Sequence, residues 1–144
     1  MPEEVGIILS NLKSINSLKF GDLELYTGKF VLDDSREIFI TTAWSGWGKV
    51  SAARATTRLL SSNYNAMPVD TVIFTGVAGA VDSKLKRWDV ILADSIIQHD
   101  MDARPIFDKF VVPALNNKKI MPDKDFLNKK YKKLFKELNQ KSFS

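Results

Sequence analysis

A chain of 144 residues is long enough to bury one core and too short for two ordinary domains. Its 44% hydrophobic and 26% charged residues fit a globular protein and exclude a disordered or fibrous one, and zero cysteines exclude disulfides, thiolate catalysis and cysteine-ligated metal centres. The net charge of +4 sits in the tail: Asn116 to Ser144 hold nine lysines against Asp123, Asp125 and Glu137, which leaves residues 1–115 at −2.

In chain order, the opening Met1-Pro2-Glu3-Glu4 is acidic where a secretory leader would be basic. No apolar run approaches the ~18 residues of a membrane span, so a cytoplasmic protein without a membrane partner is expected. The spacing of Val5, Ile8, Leu9, Leu12 and Ile15 predicts a helix from about Glu3 with one apolar face. Lys19 to Leu32 reads as a strand pair broken at Gly21 and Gly28, and Asp33-Asp34-Ser35 reads as the turn into a further strand, Glu37 to Ala43. Val50 to Ser62 is helical. Thr71 to Thr75 and Val90 to Ala93 are short continuous apolar runs, which predicts two neighbouring strands buried on both faces. Helices alternating with such strands define an α/β fold forming a single domain over residues 1–144.

Arg104 to Pro122, with three prolines, reads as a long loop of the kind that carries function. In the tail, Phe126, Leu127, Tyr131, Leu134, Phe135 and Leu138 fall at helical spacing among lysines. A solvated amphipathic helix with snorkelling lysines accounts for that pattern, so no nucleic-acid partner is expected, with phosphate-backbone contact as the alternative.

Three segments could carry chemistry: Ser45-Gly46-Trp47-Gly48-Lys49-Val50, Thr75-Gly76-Val77-Ala78-Gly79-Ala80, and Gln98-His99-Asp100-Met101-Asp102. Each follows a predicted strand, where open α/β sheets bind ligands, and their small residues let a ligand approach backbone N–H and C=O groups. Neither glycine segment is a phosphate-cradling loop or a dinucleotide fingerprint. His99, the only histidine, has no nucleophile motif or second ligand cluster beside it and reads as loop-orienting.

Taken together with Met-Pro-Glu-Glu-Val at residues 1–5, the order and spacing of these motifs resemble the methylthioadenosine/S-adenosylhomocysteine nucleosidases of the purine nucleoside phosphorylase superfamily. The resemblance implies a mixed central sheet flanked by helices, nucleoside phosphorylase-like and incomplete at both ends. It implies hydrolysis of the bond between adenine and a 5′-substituted ribose with no metal or cofactor. By the same resemblance Glu4 is the catalytic carboxylate that positions and deprotonates water, and Val77, Ala78 and Gly79 line ribose and base. Trp47 falls where a smaller aliphatic residue packs against the 5′-substituent. The loop from Asp102 to Phe107, with Ile106 and Phe107 as binding residues, resembles one that reaches a neighbouring subunit, which implies a homodimer.

Several departures matter. The family's Met-Glu pair for the ribose hydroxyls and its aspartate for protonating the purine have no counterpart here, so the chain is expected to hold the water-activating half of the site. Ala80 stands where a second glycine is usual, and Trp88 replaces a glycine before Asp89. A nucleoside phosphorylase and a non-catalytic nucleoside-binding or truncated subunit remain the alternative readings.

Overall fold

The computed structural model describes residues 2–61 and 68–123. The chain divides into two compact units, residues 1–78 and 79–144.

The first unit opens with α1 (Pro2–Ser10), followed by three strands, β1 (Lys13–Phe20), β2 (Leu23–Val31) and β3 (Glu37–Ala43), and by α2 (Lys49–Ser61). The sheet has the order β1-β2-β3 and is antiparallel throughout. α1 lies against β3. It buries Val5 on the expected face and ends where Ser10 Oγ and Asn11 Nδ2 both donate to the Ile7 carbonyl, giving the final turn's oxygen side-chain partners. Leu12 is buried beyond the helix end.

The chain turns from β1 to β2 through Gly21, whose φ of +65° suits glycine, and pairs Phe20 directly with Leu23. Between β2 and β3 the Leu32 N–H donates to the Arg36 carbonyl, with Ser35 at φ +66° and Asp34 accepting from both Arg36 N and Nε. That is the short-loop hairpin which Asp33-Asp34-Ser35 predicts.

The core lies between β2 and α2. Leu23 and Leu25 are 2% and 1% exposed, and Ala55 of α2 packs against them with Phe20, Ala43 and Leu59 around the rim. Two polar contacts fix the helix over the hairpin. Arg54 grips Asp22 with two hydrogen bonds of 2.7 and 3.0 Å, and the Arg58 guanidinium lies 4.2 Å from the centre of the Phe20 ring. The Arg54 bond holds the Asp22 carboxyl below the usual carboxylate range. Across the sheet the hydroxyls of Thr27 and Thr41 meet at 2.9 Å, which satisfies the buried Thr27.

Several expectations change. Ile15 belongs to β1 and is not on the helix face, because the helix stops at Ser10. β1 begins at Lys13, six residues before the predicted strand region, and Gly28 is not a break: it lies inside β2. A Cβ at Gly28 would come within 2.9 Å of Leu12 Cβ and 3.1 Å of the Lys13 carbonyl oxygen, so glycine there makes room for the buried Leu12 where the β1–β2 register shifts. Thr71–Thr75 and Val90–Ala93 form no strand, and Phe74 is 83% exposed. A strand buried on both faces needs ladder partners at its edges and a layer on each face, and among the described residues these segments have no ladder. The helix after β3 runs as predicted to Ser61; Ser62 and the lysine-rich tail from Lys124 lie outside the described residues.

The second unit is organised by a long loop. The N–H and C=O groups of Ile96 and Ile120 pair reciprocally at 3.0 and 2.9 Å and close it. Inside it, Val112 N donates to the Asn117 carbonyl beside a short 3₁₀ turn, Pro113–Leu115. The expected Arg104–Pro122 loop is thus tied by backbone bonds.

The Gly28 contact gives a direct test. Gly28→Ala is expected to lower stability by about 1–3 kcal/mol through overpacking against Leu12. Gly6→Ala, in the middle of α1 with nothing near its Cβ position, is expected to raise stability by roughly 0.5–1 kcal/mol. Urea unfolding followed by circular dichroism measures both, and a neutral Gly28→Ala would contradict the packing described.

Candidate active site

Two of the sequence motifs meet in the first unit. Glu4 stands in the first turn of α1, where acidic residues favour the helix dipole, and its side chain is half-buried. Its Oε1 lies 3.5 Å from the position that a Cβ would take on Gly76. The carboxylate therefore lies beside Gly76, 72 residues away in sequence. Val77, 86% exposed, and Ala78, also exposed, follow directly.

Ser45 to Val50 does sit at the end of a strand. β3 ends at Ala43 and α2 begins at Lys49, and the turn between them uses Gly46 at φ +81° and Gly48 at φ +89°. Trp47 projects between these two glycines and is 83% exposed. Ala52 N donates to the Gly48 carbonyl at 3.0 Å, so the motif also forms the entry to the helix. The other two motifs follow no strand among the described residues.

Gly79, Ile106 and Phe107 belong to the second unit. Ile106 is 82% exposed, whereas Phe107 is half-buried, and the N–H groups of both donate to the Ala103 carbonyl at 3.1 Å. Beside them Asp102 accepts from Arg104 Nε at 2.9 Å and Nη2 at 2.6 Å, and the Arg104 hydrogen bonds hold the Asp102 carboxyl down to about 2. This pair was not singled out in the sequence, although an Asp-x-Arg spacing in a tight turn is a readable signal. His99 Nδ1 lies 3.7 Å from Asp100 Oδ1 on an exposed turn. Among the described residues no three His, Asp or Glu side chains gather as a metal site, and no helix is long and apolar enough to cross a membrane.

A helix-and-sheet unit that brings a carboxylate onto the backbone of a small-residue segment is an α/β scaffold suited to acid–base work on a ligand held by main-chain groups. The chain belongs to the phosphorylase superfamily, whose family model matches residues 1–141. Within it, the chain is 41% identical over 103 residues to a 5′-methylthioadenosine/S-adenosylhomocysteine nucleosidase of Staphylococcus aureus, covering 72% of this chain and 41% of that protein. Two solved nucleosidases match in three dimensions. One, from Colwellia psychrerythraea in complex with adenine, has a TM-score of 0.72 at 30% identity, covering 88% of this chain and 49% of the other. The second, from Neisseria meningitidis in complex with methylthio-immucillin-A, has a TM-score of 0.73 at 27% identity, covering 88% and 51%. The chain thus spans about half the length of the solved relatives. These matches support the α/β, nucleoside phosphorylase-like fold class even though the apolar segments after Pro68 lack ladders.

The Asp102–Arg104 pair predicts a pH response. A carboxyl whose folded value is depressed stabilises the loop above its ordinary value of 3.8, and that contribution is lost as pH falls through about 2. An NMR titration should place the Asp102 midpoint near 2 and, in Arg104→Gln, return it toward 3.8. A midpoint unmoved by Arg104→Gln would show that the pair does not hold the carboxylate.

Proposed function

We propose that this chain supplies the water-activating part of an N-glycosidic hydrolase acting on purine nucleosides. The names of its relatives point to 5′-methylthioadenosine and S-adenosylhomocysteine as the substrates. The observation that carries the reading is the approach of Glu4 to Gly76, which joins a carboxylate to a backbone segment open to a ligand.

Cleavage of such a bond passes through an oxocarbenium-like state, and a carboxylate opposite the leaving group is suited to it. The water oxygen bonds to the anomeric carbon while its proton passes to Glu4. The bond from that carbon to the base nitrogen breaks, its electron pair leaves with the base, and the base takes up a proton. The products are free purine and the 5′-substituted ribose. In this reading Val77, Ala78 and Gly79 line ribose and base, while Trp47, Ile106 and Phe107 supply apolar surface for the base or the 5′-group. The chemistry is acid–base throughout and calls for no metal or cofactor. A cytoplasmic homodimer, with each chain a single nucleosidase-type domain, completes the proposal.

Half of the solved relatives' length has no counterpart in the match, so the 144 residues by themselves should act slowly. Adenine release from methylthioadenosine, followed by chromatography, should be slower by roughly 10²–10⁴-fold for the chain alone than with the remaining half of a nucleosidase supplied as a second polypeptide. Glu4→Gln should abolish the restored rate. A restored rate indifferent to Glu4→Gln would overturn the assignment, and strict dependence on added phosphate would make the reaction phosphorolysis.

A further inference from the structure

Glycine at position 76 has no conformational reason to be there. Its φ lies outside the left-handed region that sets Gly21, Gly46 and Gly48 apart, so its backbone is open to any ordinary residue. Neither does crowding explain it, as it does Gly28. Among the described residues, the one heavy atom within 4 Å of its Cβ position is Glu4 Oε1, at 3.5 Å. Among the described residues beyond its chain neighbours, a Cβ at 76 would therefore meet the carboxylate that the proposed reaction uses.

We propose that Gly76 is a positioning residue for Glu4: its missing side chain keeps the space beside Oε1 open, so that a water molecule can occupy it and be deprotonated there. This rests on the reading of Glu4 as the water-activating group. An oxygen-bound water needs a hydrogen-bonding distance of about 2.7–3.0 Å, and a methyl group in van der Waals contact with the same oxygen occupies part of the volume that water would fill. A branched side chain would fill more of it. Alanine at 76 fits without a clash, so the expected effect is on water access and not on folding.

Access can be read on the chain as it stands, without turnover. Carbodiimide-driven amide labelling, quantified by mass spectrometry at Glu4 with the exposed Asp33 and Glu37 as internal references, is compared in the unmodified chain, Gly76→Ala, Gly76→Val and Gly79→Ala. Labelling at Glu4 should fall in Gly76→Ala and severalfold further in Gly76→Val, and remain unchanged in Gly79→Ala, whose Cβ position has no neighbour within 4 Å. Undiminished labelling in Gly76→Val, or an equal fall in Gly79→Ala, overturns the proposal. In the reconstituted enzyme, Gly76→Ala should lower kcat by at least about tenfold, a part of the roughly 10²–10⁴-fold that a positioned general base contributes, with KM nearly unchanged. A raised KM at constant kcat would make residue 76 a substrate contact and would also overturn it. Restored turnover that ignores Glu4→Gln would bring down the parent reading on its own, whatever the labelling shows.

Discussion

Everything in the first unit is arranged around the seating of α2 on the hairpin of β1 and β2. Leu23 and Leu25 are almost fully covered by Ala55 with Phe20, Ala43 and Leu59 around them, and burying a leucine is worth about 1.5–3 kcal/mol. The Asp22–Arg54 pair is exposed, and solvent screening leaves pairs of that kind little net stability. The apolar contact therefore sets the stability, with the ion pair as an added tie between helix and hairpin. With α2 fixed, the short turn from β3 must reverse through Gly46 and Gly48, and Trp47 is held outward between them. α1, lying against β3 with Val5 buried, is placed by the same sheet and brings Glu4 to its position.

That geometry gives the candidate site its character. A half-buried carboxylate in the first turn of a helix faces a glycine whose neighbours are small and exposed. Such a segment can present N–H and C=O groups to a ribose or base, while the carboxylate handles a proton. The exposed Val72, Ile73 and Phe74 just before it are apolar in the manner of an interior strand. Apolar surface of that kind calls for a covering layer, which fits a chain that matches half of each solved nucleosidase.

The elements whose order depends on local contacts were legible in the sequence. β3 is legible at its observed residues, the start of α2 to within one residue, and the Asp33–Ser35 turn where it stands, because strand alternation, helix periodicity and turn chemistry are all local. Gly28 misled because a glycine in a strand signals a break unless the neighbouring strand's side chain is known, and Leu12 could not be placed over it in advance. Residues 71–75 misled for the opposite reason: an apolar run states what a segment would bury in, not whether partners for its backbone are present. The site followed the same division. Glu4 alone reads as an ordinary helix-opening acid, and the ordered motifs behind the family resemblance singled it out. Its approach to Gly76 needed coordinates, since no periodicity links positions 72 residues apart.

The proposed role of Glu4 requires that it and the Gly76–Ala78 backbone form one side of a nucleoside site. A crystal structure of the chain, reconstituted with the remaining half of a nucleosidase and bound to a methylthioadenosine analogue, tests it most directly. An ordered water is expected within hydrogen-bond reach of Glu4, about 2.6–3.2 Å, lying beside Gly76 and beneath the anomeric carbon. A nucleoside bound with its anomeric carbon remote from Glu4, or with another carboxylate holding that water, would contradict it.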